Sequence, residues 1–329
     1  MITEGLAKIE AETPKIVSKQ MDVFYNPVMR FNRTISILIV KSFFENKIII
    51  ADIMAASGIR AIRMAKEAPE KIETIYANDY SEKAVKLIKK NIAKNKAKKI
   101  EVSNKDANLF LLESKGFNYI DIDPFGTPNP FLDSAVRRLS RTGILAVTAT
   151  DTAALTGTYE DACERKYWAK PLRNYLMHEI GLRILIRKIQ LIGAQYEKAL
   201  TPVLSYSKEH YYRIFFSCEK GKQKCDAIIK QHKFFQEKYG PVWTGKLSDR
   251  KLVEKMMNYS DSETTKFLET IRDEADINQI GFFLTDNLNM KINDILEKLK
   301  KKGIKASRTH FAGNGIKCEC DFKELSASL

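Results

Sequence analysis

The sequence has 329 residues, 44% hydrophobic and 29% charged, which excludes a wholly disordered chain and allows one large and one smaller domain. Its 55 Lys and Arg against 41 Asp and Glu give a net charge of +14, which favours a polyanionic partner, most simply a nucleic acid. No apolar run approaches the roughly 18 to 20 residues that a membrane helix needs, so we expect no membrane span.

The first 46 residues form an N-terminal extension with a predicted helix over 33–46. Its beginning, "MITEGLAKIEAETP", carries acidic residues and lacks the apolar core of a secretory signal. Five cysteines, an odd number without such a signal, fit reduced thiols better than a disulfide framework. We therefore expect a cytoplasmic protein.

Short apolar runs alternate with helical patterns from residue 47 to about residue 150. The predicted strands are "KIIIADIM" (47–54), "TIYAND" (74–79), "KIEVSN" (99–104), "FNYIDID" (117–123) and "GILAVTATD" (143–151). The predicted helices are 58–68, 81–95 with Ser81 as its cap, 107–115 and 128–140. Strands separated by helices predict an α/β fold with a doubly wound, mostly parallel, Rossmann-like sheet. Ligands bind such sheets beyond the carboxyl ends of the strands.

A long helix is predicted over 167–195, followed by two strand-like runs, 198–207 and 211–219, that could close the sheet as an antiparallel pair. Composition turns polar at "KGKQK" (220–224). We therefore predict a large domain over 1–220, which includes the extension, and a smaller α+β domain over 221–329. Helical patterns at 249–257 and 292–303 belong to the smaller domain.

The loop after the first strand of the predicted sheet, "AASGIR" (55–60), has one glycine, whereas dinucleotide-binding loops need several so that the backbone can approach a pyrophosphate. A cofactor without a diphosphate fits better, and S-adenosylmethionine is the leading candidate. Asp52, Ser57 and Gly58 of this strand and loop are assigned to its pocket. The alternative is a turn of small residues that only starts a helix.

Two later strands also end in acidic residues. Asp79 follows the second strand, where a carboxylate can accept hydrogen bonds from both ribose hydroxyls. Asp106 and Ala107 follow the third, where a carboxylate and a backbone N–H could bind the adenine edge. Three polar loops at one edge of the sheet favour an adenosine-bearing cofactor, although a solvated Asp at a single strand end is common.

The fourth strand ends in "DPFG", residues 123–126, which by itself is an ordinary turn sequence. Next to a bound methyl donor, however, this turn could hold the amine that is methylated. The Asp123 carboxylate and the Pro124 carbonyl can accept both hydrogens of an aromatic amine, and Phe125 can stack on the base. Attack at pyrimidine C5 would need a cysteine nucleophile, often after proline, and none of the five cysteines follows a proline.

Long motifs along almost the whole chain carry a resemblance to one family. They are "EGLAKI", "VFYNPVMRFNR", "ADIMAASGIRAIR", "AND", "DIDPFGTPNPFLDSA", "LAVTATDTAALTG", "HEIGLRIL", "GPVWTGKL" and "THFAGNGI". With these motifs the chain resembles the tRNA guanine-26 N2-dimethyltransferases. The resemblance implies transfer of one or two methyl groups from S-adenosylmethionine to N2 of a guanine in tRNA.

The resemblance also implies roles for single residues. Arg33, Arg60, Asp79, Asp106 and Ala107 are implied as cofactor contacts, Phe24 as a residue that helps enclose the cofactor, and Asp123, Pro124 and Phe125 as the catalytic turn. Many family members carry four cysteines before "GPVW", but this sequence has only Cys218 and Cys225 there. Because tetrahedral zinc needs four ligands, we predict no metal.

Other functions remain open from the sequence. One is methylation of adenine N6 or cytosine N4 in DNA or RNA, and another is a basic RNA-binding module without catalysis. The C-terminal domain and "ERKYWAKPLRNY" (164–175) are the predicted RNA contacts. For His178 and Glu179, on the predicted long helix, a packing role is favoured over a base or a metal site.

Overall fold

The computed structural model describes residues 1–11, 25–286 and 290–320. The chain forms two compact units that are discontinuous in sequence. Unit 1 comprises 1–150, 192–201 and 215–225, and unit 2 comprises 151–191, 202–214 and 226–329. The domain boundary predicted at residue 220 stays a prediction.

The strands and helices follow the alternation seen in the sequence. The strands are β1 Ile2–Glu4, β2 Ala7–Ile9, β3 Ile48–Asp52, β4 Ile72–Asn78, β5 Ile100–Ser103, β6 Phe117–Ile122, β7 Leu139–Ala149, β8 Lys198–Lys208, β9 Tyr211–Lys220, β10 His232–Phe235, β11 Tyr239–Trp243, β12 Phe283–Leu284, β13 Ala306–Arg308 and β14 Gly315–Cys318. The helices are α1 Arg30–Phe43, α2 Ile59–Glu67, α3 Glu82–Asn95, α4 Ala107–Glu113, α5 Asn129–Arg138, α6 Thr152–Leu155, α7 Glu160–Tyr167, α8 Met177–Gln195, α9 Lys222–Ile229, α10 Arg250–Met257, α11 Ser262–Glu274 and α12 Ile292–Lys301.

The central sheet has seven strands in the order β5-β4-β3-β6-β7-β9-β8. β3 pairs in parallel with β4 and β6, β4 with β5, and β6 with β7. The strand order changes direction between β3 and β6, which is where α/β sheets bind ligands. The predicted doubly wound sheet is confirmed, and β9 and β8 extend it beyond β7 as expected.

Local capping fixes where the helices of unit 1 begin. The Ser81 hydroxyl accepts a hydrogen bond from Ala84 N at the start of α3, as predicted. Gly58 precedes α2 with a φ of +76°, and a Cβ there would lie 3.2 Å from Ile88 Cγ2. Glycine is therefore required at this turn by backbone conformation and by the close approach of α3.

The predicted helix over 167–195 is too long at its N-terminal end. α7 ends at Tyr167, Trp168 adopts a left-handed conformation, and α8 begins only at Met177. Pro171 lies between these helices, and proline is unfavourable inside a helix because it lacks a backbone N–H and clashes with the preceding turn. The segment "ERKYWAKPLRNY" is consequently split between a helix end and a loop.

An N-terminal hairpin, β1 with β2, was not predicted. Its strands are only three residues long, too short for the alternation of apolar and polar residues to stand out. Lys8 N and Glu10 N donate to the side-chain oxygens of Asn95 and Asn91 at 2.9 and 2.8 Å, so the hairpin is fastened to α3.

Unit 2 contains a three-stranded sheet in the order β12-β14-β13. Glu179 near the start of α8 is buried, and it accepts hydrogen bonds from Arg183 Nε at 3.0 Å and from Lys317 Nζ at 2.9 Å. The packing role predicted for Glu179 agrees with these contacts. In the described part of the chain, no helix has the length and apolar character to cross a bilayer.

Candidate active site

The carboxyl ends of β3, β4 and β6 meet at one edge of the central sheet, because these strands are parallel and adjacent. Asn78, the last residue of β4, ties the neighbouring loops together. Its Nδ2 donates to the carbonyl oxygens of Ile53 at 3.2 Å and Lys105 at 2.9 Å. The loops after β3, β4 and β5 are thus held at the same edge.

Asp79 is buried and fixes the loop that follows β3. One carboxylate oxygen accepts from Ala56 N at 2.9 Å, and the other accepts from Ser81 N at 3.0 Å. Each carboxylate oxygen has a second lone pair. Asp79 is therefore placed as predicted, with acceptor capacity left for hydroxyl groups of a ligand.

Asp52 and Ser57 each bring an unpaired polar atom to this edge. Both residues are buried, and neither Asp52 Oδ2 nor Ser57 Oγ has a hydrogen-bond partner among the described residues. Burial raises the pKa of Asp52 to about 7; Arg60 opposes this shift, while Asp121, Asp123 and Asp79 add to it. Buried polar atoms are normally hydrogen-bonded, so these two atoms fit a site that a polar ligand completes.

Arg60 lies at the centre of a buried polar cluster. Its Nη2 pairs with Asp123 Oδ2, and its Nη1 lies 3.3 Å from Asp121 Oδ2. The same Nη1 donates to Asn32 Oδ1 at 3.0 Å and to Ser36 Oγ at 2.9 Å. The guanidinium therefore spans α1 and the end of β6.

Two further contacts complete this cluster. Asn32 Nδ2 donates to Thr148 Oγ1 at 3.2 Å, which points the amide oxygen of Asn32 towards Arg60. Tyr119 donates from its hydroxyl to Asp121 Oδ2 at 2.7 Å. Five of the cluster residues, Asn32, Ser36, Tyr119, Asp121 and Thr148, are at most 1% exposed, so their geometry is protected from solvent.

The turn after β6 is rigid and partly exposed. Gly126 N donates to Thr150 Oγ1 at 2.7 Å, and Thr150 N donates to Gly126 O at 2.9 Å. Gly126 has a φ of +84°, a conformation that favours glycine. Pro124 is buried, whereas the Phe125 ring is 44% exposed. Asp123 Oδ1 accepts no hydrogen bond from the described residues, so this oxygen is available to a ligand.

Asp106 and Ala107 lie where the sequence predicted, at the start of α4. Asp106 Oδ1 caps the helix by accepting from Asn108 N and Leu109 N at 2.9 and 3.1 Å. Its other oxygen accepts no hydrogen bond within the described ranges, and Ala107 is buried. Capping accounts for one oxygen of Asp106 and leaves the second for a ligand.

Arg33 is engaged with the N-terminal hairpin. Its Nε donates to Glu4 Oε1 at 2.7 Å and its Nη2 pairs with Glu4 Oε2, while Arg63 Nη1 donates to the same carboxylate at 2.8 Å. Burial opposes ionisation of Glu4, but Arg33 and Arg63 lower its pKa to about 2. Phe24 lies outside the described residues.

A metal site is not apparent at these residues. No three His, Cys, Asp or Glu side chains within 1–11, 25–286 and 290–320 are placed to hold an ion. Cys218 and Cys225 are buried, and burial raises the pKa of Cys218 to about 11. The absence of zinc stays a prediction.

Comparison with known proteins identifies the family. The sequence profile of the N2,N2-dimethylguanosine tRNA methyltransferases matches residues 5–238 and 235–329. The chain belongs to this family. It is 37% identical to the tRNA (guanine(26)-N(2)/guanine(27)-N(2))-dimethyltransferase of Aquifex aeolicus, over 100% of this chain and 95% of that protein. It is 36% identical to the tRNA (guanine(26)-N(2))-dimethyltransferase of Methanocaldococcus jannaschii, over 100% of this chain and 98% of the relative.

A solved structure supports the same family assignment. Trm1 from Pyrococcus horikoshii, in complex with S-adenosyl-L-methionine, matches with a TM-score of 0.89 at 34% identity, over 99% of this chain and 98% of that one. The resemblance inferred from motifs and the predicted fold class are both confirmed. The family uses S-adenosylmethionine, as the single-glycine loop predicted.

Within this family fold, the polar cluster contains residues that sequence reasoning missed. They are Asn32, Ser36, Tyr119, Asp121 and Thr148; Thr150, which accepts from Gly126 N at the turn after β6, was not predicted either. A signal was present for two of them: Tyr119 and Asp121 alternate with Asp123, so period-two geometry puts all three on one face of β6. Asn32 stands inside the "FNR" motif, but only the fold brings it to Thr148, 116 residues away.

Proposed function

We propose that this chain transfers methyl groups from S-adenosylmethionine to the exocyclic N2 of guanine 26 in tRNA, first one and then a second. The observation that carries the proposal is the Asp123 turn: Arg60 holds one carboxylate oxygen, the other is available, and an exposed ring follows two residues later. Family membership favours guanine in tRNA over adenine or cytosine as the target. A cytoplasmic location stays a prediction.

The residues at the carboxyl edge fit the cofactor. When bound, S-adenosylmethionine supplies an electrophilic methyl group on a sulfonium. We infer that Asp52 and Ser57 hold its amino-acid end, because their unpaired buried atoms suit an ammonium and a carboxylate. We assign the ribose hydroxyls to Asp79, and the adenine to Asp106 and Ala107. The roles implied for Arg33 and Phe24 remain proposals from the resemblance.

The catalytic turn acts on the amine. The lone pair of an aromatic amine is delocalised into the ring, which makes the nitrogen a weak nucleophile. In the first transfer, acceptance of its two hydrogens by Asp123 Oδ1 and the Pro124 carbonyl favours a pyramidal, more reactive nitrogen. In the second transfer, the one remaining N–H can donate to Asp123 Oδ1. Each transfer breaks one S–CH3 bond and releases one proton from N2. Stacking on Phe125 orients the base. Because a paired base cannot reach this turn, the guanine must be extruded from its stem.

The identity of the methylated nucleoside tests this proposal. Purified protein is incubated with methyl-labelled S-adenosylmethionine and an unmodified tRNA transcript, and the product is digested and analysed by mass spectrometry. We expect N2-methylguanosine followed by N2,N2-dimethylguanosine at position 26. Label on adenosine or cytidine supports an amino-methyltransferase of the other class, and no transfer by folded protein supports an RNA-binding module.

Replacing Asp52 with Asn should change the pH dependence of stability. The native carboxyl keeps its proton until about pH 7, whereas the ordinary pKa is 3.8. Between these values unfolding releases a proton, so Asp52 lowers the free energy of unfolding as pH rises. Asp52→Asn should therefore gain stability relative to wild type between pH 4 and pH 7, on the order of a few kcal/mol.

Urea denaturation of both proteins without cofactor, at intervals from pH 4 to pH 8, measures this difference. Calorimetry at pH 7 should show that the same variant binds S-adenosylmethionine more weakly, because the ammonium loses its carboxylate. If the free energies of unfolding of the two proteins changed with pH in the same way, or if Asp52→Asn bound S-adenosylmethionine as tightly as wild type, Asp52 would not belong to the proposed pocket.

Thr148 offers a matched pair of variants that tests how Arg60 is positioned. Thr148→Val keeps the shape but removes the oxygen that accepts from Asn32, so the Asn32 amide can no longer be held towards Arg60. We expect kcat to fall roughly tenfold, as small displacements of positioned groups do. Thr148→Ser keeps the oxygen and should stay close to wild type.

Steady-state kinetics separates this role from a loss of packing. KM for tRNA and the Kd of the cofactor should change little in both variants, whereas the thermal midpoint of Thr148→Val should fall, because the buried Asn32 N–H loses its acceptor. A wild-type kcat in Thr148→Val, or a loss of kcat in Thr148→Ser as large as that in Thr148→Val, would contradict a specific role for the hydroxyl.

A further inference from the structure

Two of the family motifs have no part in the proposed catalytic site, yet they meet at one cleft of unit 2. His178 comes from "HEIGLRIL", and Thr309, His310 and Phe311 come from "THFAGNGI", more than 130 residues later. The cleft has a volume of about 390 Å³ and is open to solvent. This volume lies within the roughly 300 to 1,000 Å³ typical of small-ligand sites.

Aromatic rings form much of the cleft wall. The rings of His310 and Phe311 lie 3.9 Å apart between centroids, and the Phe267 ring meets His310 edge to face at 6.1 Å. Phe267 and Phe311 are only partly buried, so part of each side chain faces solvent. Such rings stack on nucleic acid bases without regard to base identity.

Buried hydrogen bonds and an ion pair hold this wall in place. Glu274 accepts hydrogen bonds from His310 N at 3.1 Å and from His310 Nδ1, which fixes the imidazole. Lys317 is paired with the buried Glu179 at 2.9 Å, and its Nζ lies 5.7 Å from the centre of the Phe311 ring. A wall already rigid before binding loses little side-chain entropy when a ligand docks.

The polar lining suits a nucleotide. Ser207, Thr270 and Thr309 provide hydroxyls, and Lys208 provides a cation for a phosphate. Glu209 also lines the cleft, but the chain as a whole carries +14, so the field favours a polyanion. Partly exposed phenylalanine rings together with hydroxyl groups and a lysine match the composition of single-stranded RNA sites.

We propose that this cleft binds an unpaired nucleotide of the tRNA substrate other than the guanine that is methylated. The target guanine has its own ring and acceptors at residues 123–125, so the cleft adds a separate contact with the RNA. This inference rests on the proposed function for the identity of the RNA. It predicts that the cleft contributes to tRNA affinity and leaves the methyl-transfer step unchanged.

The test uses the full-length protein and an unmodified tRNA transcript. Phe311→Ala removes a stacking ring, and Thr270→Trp fills the cleft without removing any ring. We expect each to raise the Kd and the KM for tRNA roughly tenfold. We expect kcat at saturating tRNA and the Kd of S-adenosylmethionine to stay at wild-type values. Phe234→Ala, which removes a Phe that is 56% exposed in unit 2 and does not line the cleft, is the matched control and should bind tRNA as wild type does.

Ultraviolet crosslinking gives a direct readout. Nucleotide adducts should appear on the peptide that contains Phe311, and sequencing of the crosslinked RNA should map them to a nucleotide other than guanine 26. The inference would be overturned if Thr270→Trp bound tRNA as tightly as wild type, or if Phe234→Ala lost as much tRNA affinity as the cleft variants. It would also be overturned if kcat collapsed in both cleft variants. If Phe311→Ala fails to fold, Thr270→Trp decides.

Failure of this inference differs from failure of the proposed function. If wild-type protein methylates tRNA and the cleft variants behave like wild type, only the cleft is misassigned. If wild-type protein binds tRNA through the cleft but transfers no methyl group, only the reaction is misassigned.

Discussion

Asp123→Ala should lower kcat for methyl transfer at least roughly a hundredfold, the range expected for loss of a positioned catalytic polar group. Asp123 Oδ1 is the side-chain acceptor that the turn offers to the amine, and Arg60 holds the other oxygen. Initial rates with labelled S-adenosylmethionine and saturating tRNA measure the effect. We expect tRNA affinity to change little, because the carboxylate contributes to the reacting geometry more than to RNA binding.

Asp161→Ala is a suitable control, since Asp161 is an exposed aspartate of α7, outside the proposed site. It should retain the wild-type rate. A wild-type rate in Asp123→Ala would remove Asp123 from the mechanism. A protein that only binds RNA would show no turnover even before substitution, so the two alternatives are separated by the wild-type rate.

Glu4→Gln should lower the free energy of unfolding by about 3 kcal/mol, because it leaves buried Arg33 and Arg63 without their shared carboxylate. The side chain of Glu4 is 1% exposed, so water cannot replace the lost charge. Chemical denaturation at pH 7 measures the loss. Glu4 has its pKa lowered to about 2 from 4.5, so its contribution is complete above pH 4.5 and disappears as pH falls through 2. The difference between the two proteins should shrink over the same range.

Glu10→Gln provides the comparison within the same N-terminal segment. Glu10 pairs with Lys90 and Lys94 on the surface, where ion pairs contribute little. This variant should unfold like wild type. Equal destabilisation by both substitutions would show that burial of the Glu4 pair has no special weight.

The sheet was predictable because its signals are local and repeated. β3 is nearly a continuous apolar run, β4 and β6 are mostly buried strands that also contain polar residues, and each helix between the strands has an apolar face or a capping residue. The start of α8 and the N-terminal hairpin were not predicted correctly. Pro171 excludes the segment before α8 from the helix, and the strands of the hairpin are too short for their pattern to stand out.

The candidate site was predictable at the strand ends and not beyond them. Asp52 is the last residue of β3, and Asp79, Asp106 and Asp123 follow β4, β5 and β6, so parallel topology alone brings them to one edge. The Arg60 guanidinium faces Asp121 and Asp123 and donates a hydrogen bond to Asn32 on α1. These contacts depend on packing between distant segments of the chain. No spacing in the sequence encodes those contacts. The same holds for the cleft of unit 2, whose motifs were recognised without an indication of what they do.

A crystal structure of the protein with S-adenosylmethionine tests the central claim most directly. We expect density for the cofactor along the carboxyl ends of β3, β4 and β5, with its hydroxyls on Asp79 and its sulfonium carbon directed at the turn that begins with Asp123. Cofactor bound at any other place, or an Asp123 side chain rotated into the interior when the cofactor is present, would contradict it.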